Sequence, residues 1–298
     1  MVRTREVDDR ETTATRLLKG SVERSYEPAV DIDWDAPLLD GVFYHPPQRT
    51  SLYGTELWDR MTHEQRVELS KHEVASLASL GVWFETILMQ MLLRHSYDRS
   101  VTSQHVRYAL IEIADECRHS VMFSRLIERL GCPPYRIDGY HHQLGRLMKT
   151  VVSGPAMWAA TLIAEEVLDT FQREAMADDT IQPLVRMVSR IHVVEEARHV
   201  RYARDELVRQ MSRAGRADKA VARLITARAA YAIASHLVHP DCYAAAGLDV
   251  REARRAERAN PLRRETLRWS ARRLVDFFDE VGLMRGPGMV LWRSSGLV

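Results

Sequence analysis

Two stretches decide how this chain folds: Ile191-His192-Val193-Val194-Glu195-Glu196-Ala197-Arg198-His199 and, eighty residues earlier, Asp115-Glu116-Cys117-Arg118-His119. Both contain the pattern acid-Glu-x-Arg-His. Glu116/His119 and Glu196/His199 are each spaced i, i+3, which on a helix stacks the two side chains on one face, one turn apart. His192 lies four residues before Glu196 and seven before His199, on that same face. Two such helices facing each other offer carboxylates and imidazoles to a shared centre, and oxygen and nitrogen donors of this kind suit iron or manganese. A lone E-x-x-H carries little information in a chain with 22 glutamates and 12 histidines. The repeated flanking residues carry more, and they suggest two related helix pairs about a pseudo-twofold axis.

The surrounding chain reads as helix throughout. Stripes of apolar residues at the 3.6 period recur, while alternating β-branched runs between turn residues are nearly absent. After a short first helix, Tyr26 to Pro47 carries four prolines with Trp34, Phe43 and Tyr44 and reads as an extended arm wrapping the surface. A helix is predicted from Thr62, where T-x-x-Q forms a capping box with Gln65, to about His95. A second runs from Thr102 or Ser103 to before Gly131. A third, from Pro155 to about Met176, follows a short helix from His141. A fourth starts near Thr180, with Pro183 in its first turn, and ends before Gly215. Further helices cover about Asp218–Leu237 and Pro261–Val281. The expectation is one all-α domain over 1–298: an arm at 1–60, a four-helix core at 62–213, and additional helices at 216–298.

Two of the four core helices lack E-x-x-H but offer buried carboxylates. Glu85 has Gly81, Val82, Leu88, Met89 and Leu92 as helical neighbours. An isolated carboxylate in such a setting is costly unless paired or bound to metal. On the third helix the choice lies between Glu165 and Glu166; the neighbours favour Glu165 slightly. His192 has two readings, a further ligand or a partly buried histidine bonded to a backbone carbonyl. Asp115 and Glu195 are expected to accept from the histidines of the opposite motif, as carboxylates behind ligand histidines do, with Arg118 and Arg198 balancing them; ordinary exposed ion pairs are the alternative. His236, His239 and Cys242 form H-x2-H-x2-C, read as capping and surface residues rather than a zinc site. Arg251–Arg264 is interleaved with acids and reads as solvated helix.

Composition excludes several classes. The 298 residues carry a formal net charge of +1, with 46% apolar and 28% charged residues, so no global field draws nucleic acid or an anionic membrane. Three scattered cysteines fit a reducing cytoplasm rather than a disulfide framework. No secretory signal and no membrane-spanning stretch is expected. There is no dinucleotide fingerprint, phosphate loop or G-x-S-x-G.

The order Glu85, Glu116-x-x-His119, Glu165, His192-x-x-x-Glu196-x-x-His199 resembles the ferritin-like diiron arylamine N-oxygenases, the family that includes the para-aminobenzoate N-oxygenase of aureothin biosynthesis. The additional His192 carries the resemblance, which covers roughly Trp34 to His199. It implies a ferritin-like bundle in which Glu85, Glu116, His119, Glu165, His192, Glu196 and His199 hold two iron ions (manganese being the alternative). It implies O2 as co-substrate, an amine oxidised through hydroxylamine towards nitro, an external reductase or small reductant, and a homodimer, with a place in antibiotic biosynthesis. Arg272 and Arg273 are candidates for the family's carboxylate-recognising arginine. No asparagine stands in 169–176, which puts para-aminobenzoate in doubt as the substrate. A diiron C–H hydroxylase or desaturase, or a non-catalytic ferritin-like metal-binding protein, would use the same ligands.

Overall fold

The structure is a computed structural model, and it describes residues 7–298. Among the described residues every regular element is helical. In chain order these are α1 (Arg10–Glu23), α2 (Pro28–Asp31), α3 (Glu56–Arg60), α4 (His63–Tyr97), α5 (Gln104–Arg129), α6 (Gly139–Val151), α7 (Gly154–Ala177), α8 (Pro183–Arg213), α9 (Arg216–His236), α10 (Asp241–Ala245), α11 (Val250–Ala259), α12 (Pro261–Glu280) and α13 (Met289–Ser295).

Local chemistry sets the ends of the core helices. Thr62 caps α4, its side chain accepting from Gln65 N–H while the Gln65 side chain accepts from Thr62 N–H. Ser103 caps α5 by accepting from Val106 N–H, without a reciprocal side-chain bond. Pro155 and Pro183 stand in the first turns of α7 and α8, where a missing N–H costs nothing. The expected start of the fourth helix near Thr180 moves to Pro183, with Gln182 as the cap residue.

α4 pairs with α5 and α7 with α8, and these four form the bundle. α7 is covered on its far side by α9 and α12, so it is buried almost all round from Ala156 to Asp169. α1 lies across α5 and α8, where Arg10 pairs with the fully buried Glu206 at 2.7 Å. The arm is not purely extended: α2, a 3-10 turn at Pro47–Arg49 and α3 interrupt it. It is nevertheless anchored by its aromatics, with Trp34 and Tyr44 buried. Against the expectation of no spanning stretch, α4 is long and apolar enough by composition to cross a bilayer (mean hydropathy 1.4 over its best window). In this fold that apolarity faces the core, 61% of the window being buried.

Candidate dimetal centre

All seven expected ligands converge inside the bundle, each no more than 3% exposed. The ligand atoms fall into overlapping groups close enough to share a cation: Glu85 with His119 and His192, Glu116 with His119 and Glu196, and Glu165 with His192 and Glu196. Both motif histidines turn Nδ1 inward. His119 Nδ1 lies 3.3 Å from Glu116 and 3.4 Å from Glu196. His199 Nδ1 lies 3.0 Å from Glu116 and 2.9 Å from Glu196. Glu116 and Glu196 thus each face both histidines, the placement of carboxylates shared between two cations.

The outward nitrogens are held by the opposite motif. His119 Nε2 donates to Glu195 at 2.8 Å, and His199 Nε2 donates to Asp115 at 3.2 Å. The pairing fixes Nε2 as the protonated nitrogen and leaves Nδ1 free to bind metal. Arg118 pairs with Asp115, and Arg198 stands 3.4 Å from Asp115 and 3.9 Å from Glu195. Asp115 and Glu195 are buried, so these are not exposed surface pairs.

Glu165 and Glu166 part company in the tertiary structure. Glu165 faces the centre, while both oxygens of Glu166 are taken by Arg204 of α8. His192 makes no bond to a backbone carbonyl: both its ring nitrogens are buried without a partner, and the ring rests against His119 (4.7 Å) and Phe123 (4.9 Å). Its Nε2 lies 3.7 Å from Glu85 and 3.8 Å from Glu196.

The donor set fits a pair of cations. Four buried carboxylates crowd one space, and Glu116 Oε1, Glu196 Oε2 and both His192 nitrogens are left without hydrogen bonds. Burial pushes the Glu85 and Glu165 carboxyls up, Glu165 further raised by Glu196 and Glu116. Burial also acts to lower His119 and His199, yet their carboxylate neighbours raise both well above the ordinary imidazole value. This set of acids calls for positive charge at the inward face of the two imidazoles. Metal ions would supply it.

Sequence reasoning overlooked Glu112, which is fully buried, has no partner for either oxygen, and joins Glu116 and His199. Burial raises its carboxyl well above the usual range. Its signal was its position four residues before Glu116, one turn up the same face. The arginine candidates need correcting. Arg272 and Arg273 are exposed on α12, because that helix turns its Ala271 and Leu274 face to the core. The arginine of α12 that is buried is Arg263, within the stretch expected to be solvated. His236, His239 and Cys242 do not converge: Cys242 is buried against the His72 carbonyl, and His236 instead meets Asp138 and His141.

A narrow cavity of about 70 Å³ approaches the centre between α4, α5, α7 and α8. Its inner end is formed by Gly81, Phe123, Leu168, Val188 and Ser189, each three or four residues from a ligand. At Gly81 a Cβ would meet the Phe123 ring at 3.4 Å, so the absence of a side chain leaves the space beside that ring free. The outer end holds His45, Arg49, Glu73, Gln172 and Arg263.

Fold and site together define a helical-bundle protein with a buried cluster of carboxylates and imidazoles that could hold metal ions. The chain belongs to the family described as P-aminobenzoate N-oxygenase AurF, whose model matches residues 7–282. Uncharacterized proteins of Mycobacterium tuberculosis and Mycobacterium bovis are 30% identical over 214 residues, covering 68% of this chain. The matched region spans 62% of the length of those relatives. Among solved structures, a mutant R2-like ligand-binding oxidase with an anaerobically reconstituted Mn/Fe cofactor superposes with a TM-score of 0.51. The overlap covers 93% of both chains at 12% identity, a likeness of fold.

Proposed function

We propose that this protein uses O2 and two bound metal ions, iron in both positions or one manganese and one iron, to oxidise the nitrogen of an aromatic amine. The observation that carries this reading is the cavity that ends on Phe123, whose ring packs at 4.9 Å on His192 of the carboxylate and histidine cluster. Membership of the N-oxygenase family and the histidine-rich donor set support it.

Glu85, Glu116, His119, Glu165, His192, Glu196 and His199 would hold the metals. The bound pair supplies O2 activation when reduced by an external donor. The rest falls to the chain's own residues. Glu195 and Asp115 hold the two motif imidazoles in one tautomer. Phe123, Leu168 and Val188 wall the inner end of the cavity with apolar surface, which excludes water and strengthens each electrostatic contact inside. Ser120 Oγ donates to Glu85 at 2.6 Å and fixes that carboxylate's orientation. His192 adds a third imidazole to a four-Glu, two-His set, so the centre gains a nitrogen donor while its carboxylate charge stays the same.

The cavity is smaller than the roughly 150 Å³ that accommodates a benzene ring in an engineered core. A slender substrate is therefore expected, admitted as Leu77, Leu126 and Val238 yield. The test is a panel of aromatic amines supplied to metal-loaded, chemically reduced protein in air, with products separated by mass. Hydroxylamine, nitroso or nitro products support the reading. Ring or side-chain hydroxylation alone would assign the site to C–H bonds.

A further inference from the structure

We infer that the far end of the substrate is an uncharged hydrogen-bonding group, such as a carboxamide or hydroxyl, and not a free carboxylate. This rests on the N-oxygenase reading for the near end of the molecule only.

The outer end of the cavity is polar and unfinished. His45 Nε2, Arg263 Nε and Gln172 Oε1 are all buried without a hydrogen bond, the first two facing Glu73 and Glu257 only at ion-pair distance, and all three residues line the cavity. His45 and Arg263 are 8% and 6% exposed. Buried polar atoms are rarely left unpaired, and three around one space call for a partner that both donates and accepts. Arg263 Nε can only donate, Gln172 Oε1 can only accept, and His45 Nε2 serves in either sense according to its tautomer.

The charges at this end are already spoken for. Arg49 makes a two-point pair with Glu174 at 2.6 and 2.9 Å and lies flat over Trp269 at 3.6 Å. Arg263 stands 3.5 Å from Glu257. Glu73 is buried, takes Ser51 N–H at 3.1 Å and Ser51 Oγ at 2.5 Å, and stands 3.4 Å from His45 Nε2. Three carboxylates therefore face two guanidiniums. A fourth carboxylate brought here by a ligand would be desolvated with no uncommitted cation to meet it, whereas an amide would satisfy the same three atoms without that cost.

The two ends are well separated. Glu73 and Glu85 are twelve residues apart on α4, about 18 Å along a helix axis. A substrate that touches both the metals and this polar end is longer than a single ring.

The experiment compares 4-aminohippurate with its primary amide, two elongated aromatic amines that differ in the charge of the far end. Binding to the metal-loaded protein is followed by calorimetry, independent of turnover. The amide is expected to bind tighter by on the order of tenfold or more. Glu257→Gln, a change at the partly exposed partner of the buried Arg263, frees the charge of Arg263 and should narrow or invert that preference. Glu73→Gln should do the same from the other side, with the melting temperature checking its fold. Tighter binding of 4-aminohippurate to the unaltered protein would overturn the inference, as would failure of either compound to bind or a preference that Glu257→Gln leaves untouched. If the amide binds tighter but neither compound is oxidised at nitrogen, the N-oxygenase reading fails and the inference about the cavity end stands.

Discussion

Replacing Glu195 by glutamine tests how the two histidines are held. Glu195 has no exposed surface, and its two oxygens do different work: Oε2 accepts from His119 Nε2 at 2.8 Å and Oε1 accepts from the Tyr26 N–H of the arm at 3.0 Å. A glutamine has one acceptor oxygen, so it can serve only one of these donors, and its amide must confront the other. If the oxygen turns to Tyr26, His119 loses its anchor; if it turns to His119, the histidine keeps its tautomer but loses the negative charge behind it. Either way the basicity of His119 Nδ1 falls. Loss of such an outer partner weakens metal affinity about 10–100-fold, or roughly 1.4–2.7 kcal/mol. The loss should fall on the metal position that His119 serves, with the His199 position spared. Stepwise titration of anaerobic metal-free protein with Fe(II) or Co(II) against a competing chelator resolves the two. Asp115→Asn should weaken the other position and cost more stability, because Arg118 and Arg198 then lose the acid they share. Unchanged affinity in a folded Glu195→Gln protein, or equal loss at both positions, would refute this account of the crossed pairing.

Further predictions concern the scaffold. Burial, with the charges of Arg99 and Arg10, lowers His95 and His105 from the ordinary imidazole value to about 3. Their neutral forms are built into the fold, so the unfolded chain binds more protons between about pH 6.5 and 3. Stability is therefore fully present above about pH 6.5 and is lost as pH falls, by up to about 2 kcal/mol for each group at pH 5. Urea unfolding at pH 7 and pH 5 measures this loss, and His95→Gln/His105→Gln should flatten the difference. Glu206→Ala leaves Arg10 and the buried Arg209 without their shared acid and should cost about 3–5 kcal/mol, with faster proteolysis of α1 as the accompanying sign. Gly145→Ala would press a Cβ to within 2.6 Å of the Trp83 ring and 2.9 Å of Ile87, costing about 1–3 kcal/mol in thermal melts while leaving metal content unchanged.

The sequence by itself determined the helices and most of the side chains that converge in the bundle, because both depend on local spacing. An i, i+3 pair shares a face on any helix, and Thr62, Ser103, Pro155 and Pro183 mark ends through their own backbone chemistry. The echo of Asp115-Glu116 in Glu195-Glu196 even carried the crossed pairing, since a twofold relation places each acid behind the other motif's histidine. What depends on segments far apart in the chain was decided only by the tertiary structure. Arg204 of α8 claims Glu166 and leaves Glu165 to the centre. The rotation of α12 turns Arg263 inward and Arg272 and Arg273 outward. His45, Glu73, Gln172 and Arg263 come from the arm and three helices, and no spacing rule relates them. Their partners, and hence the charge that the outer end of the cavity can accept, exist only once the chain has closed around it.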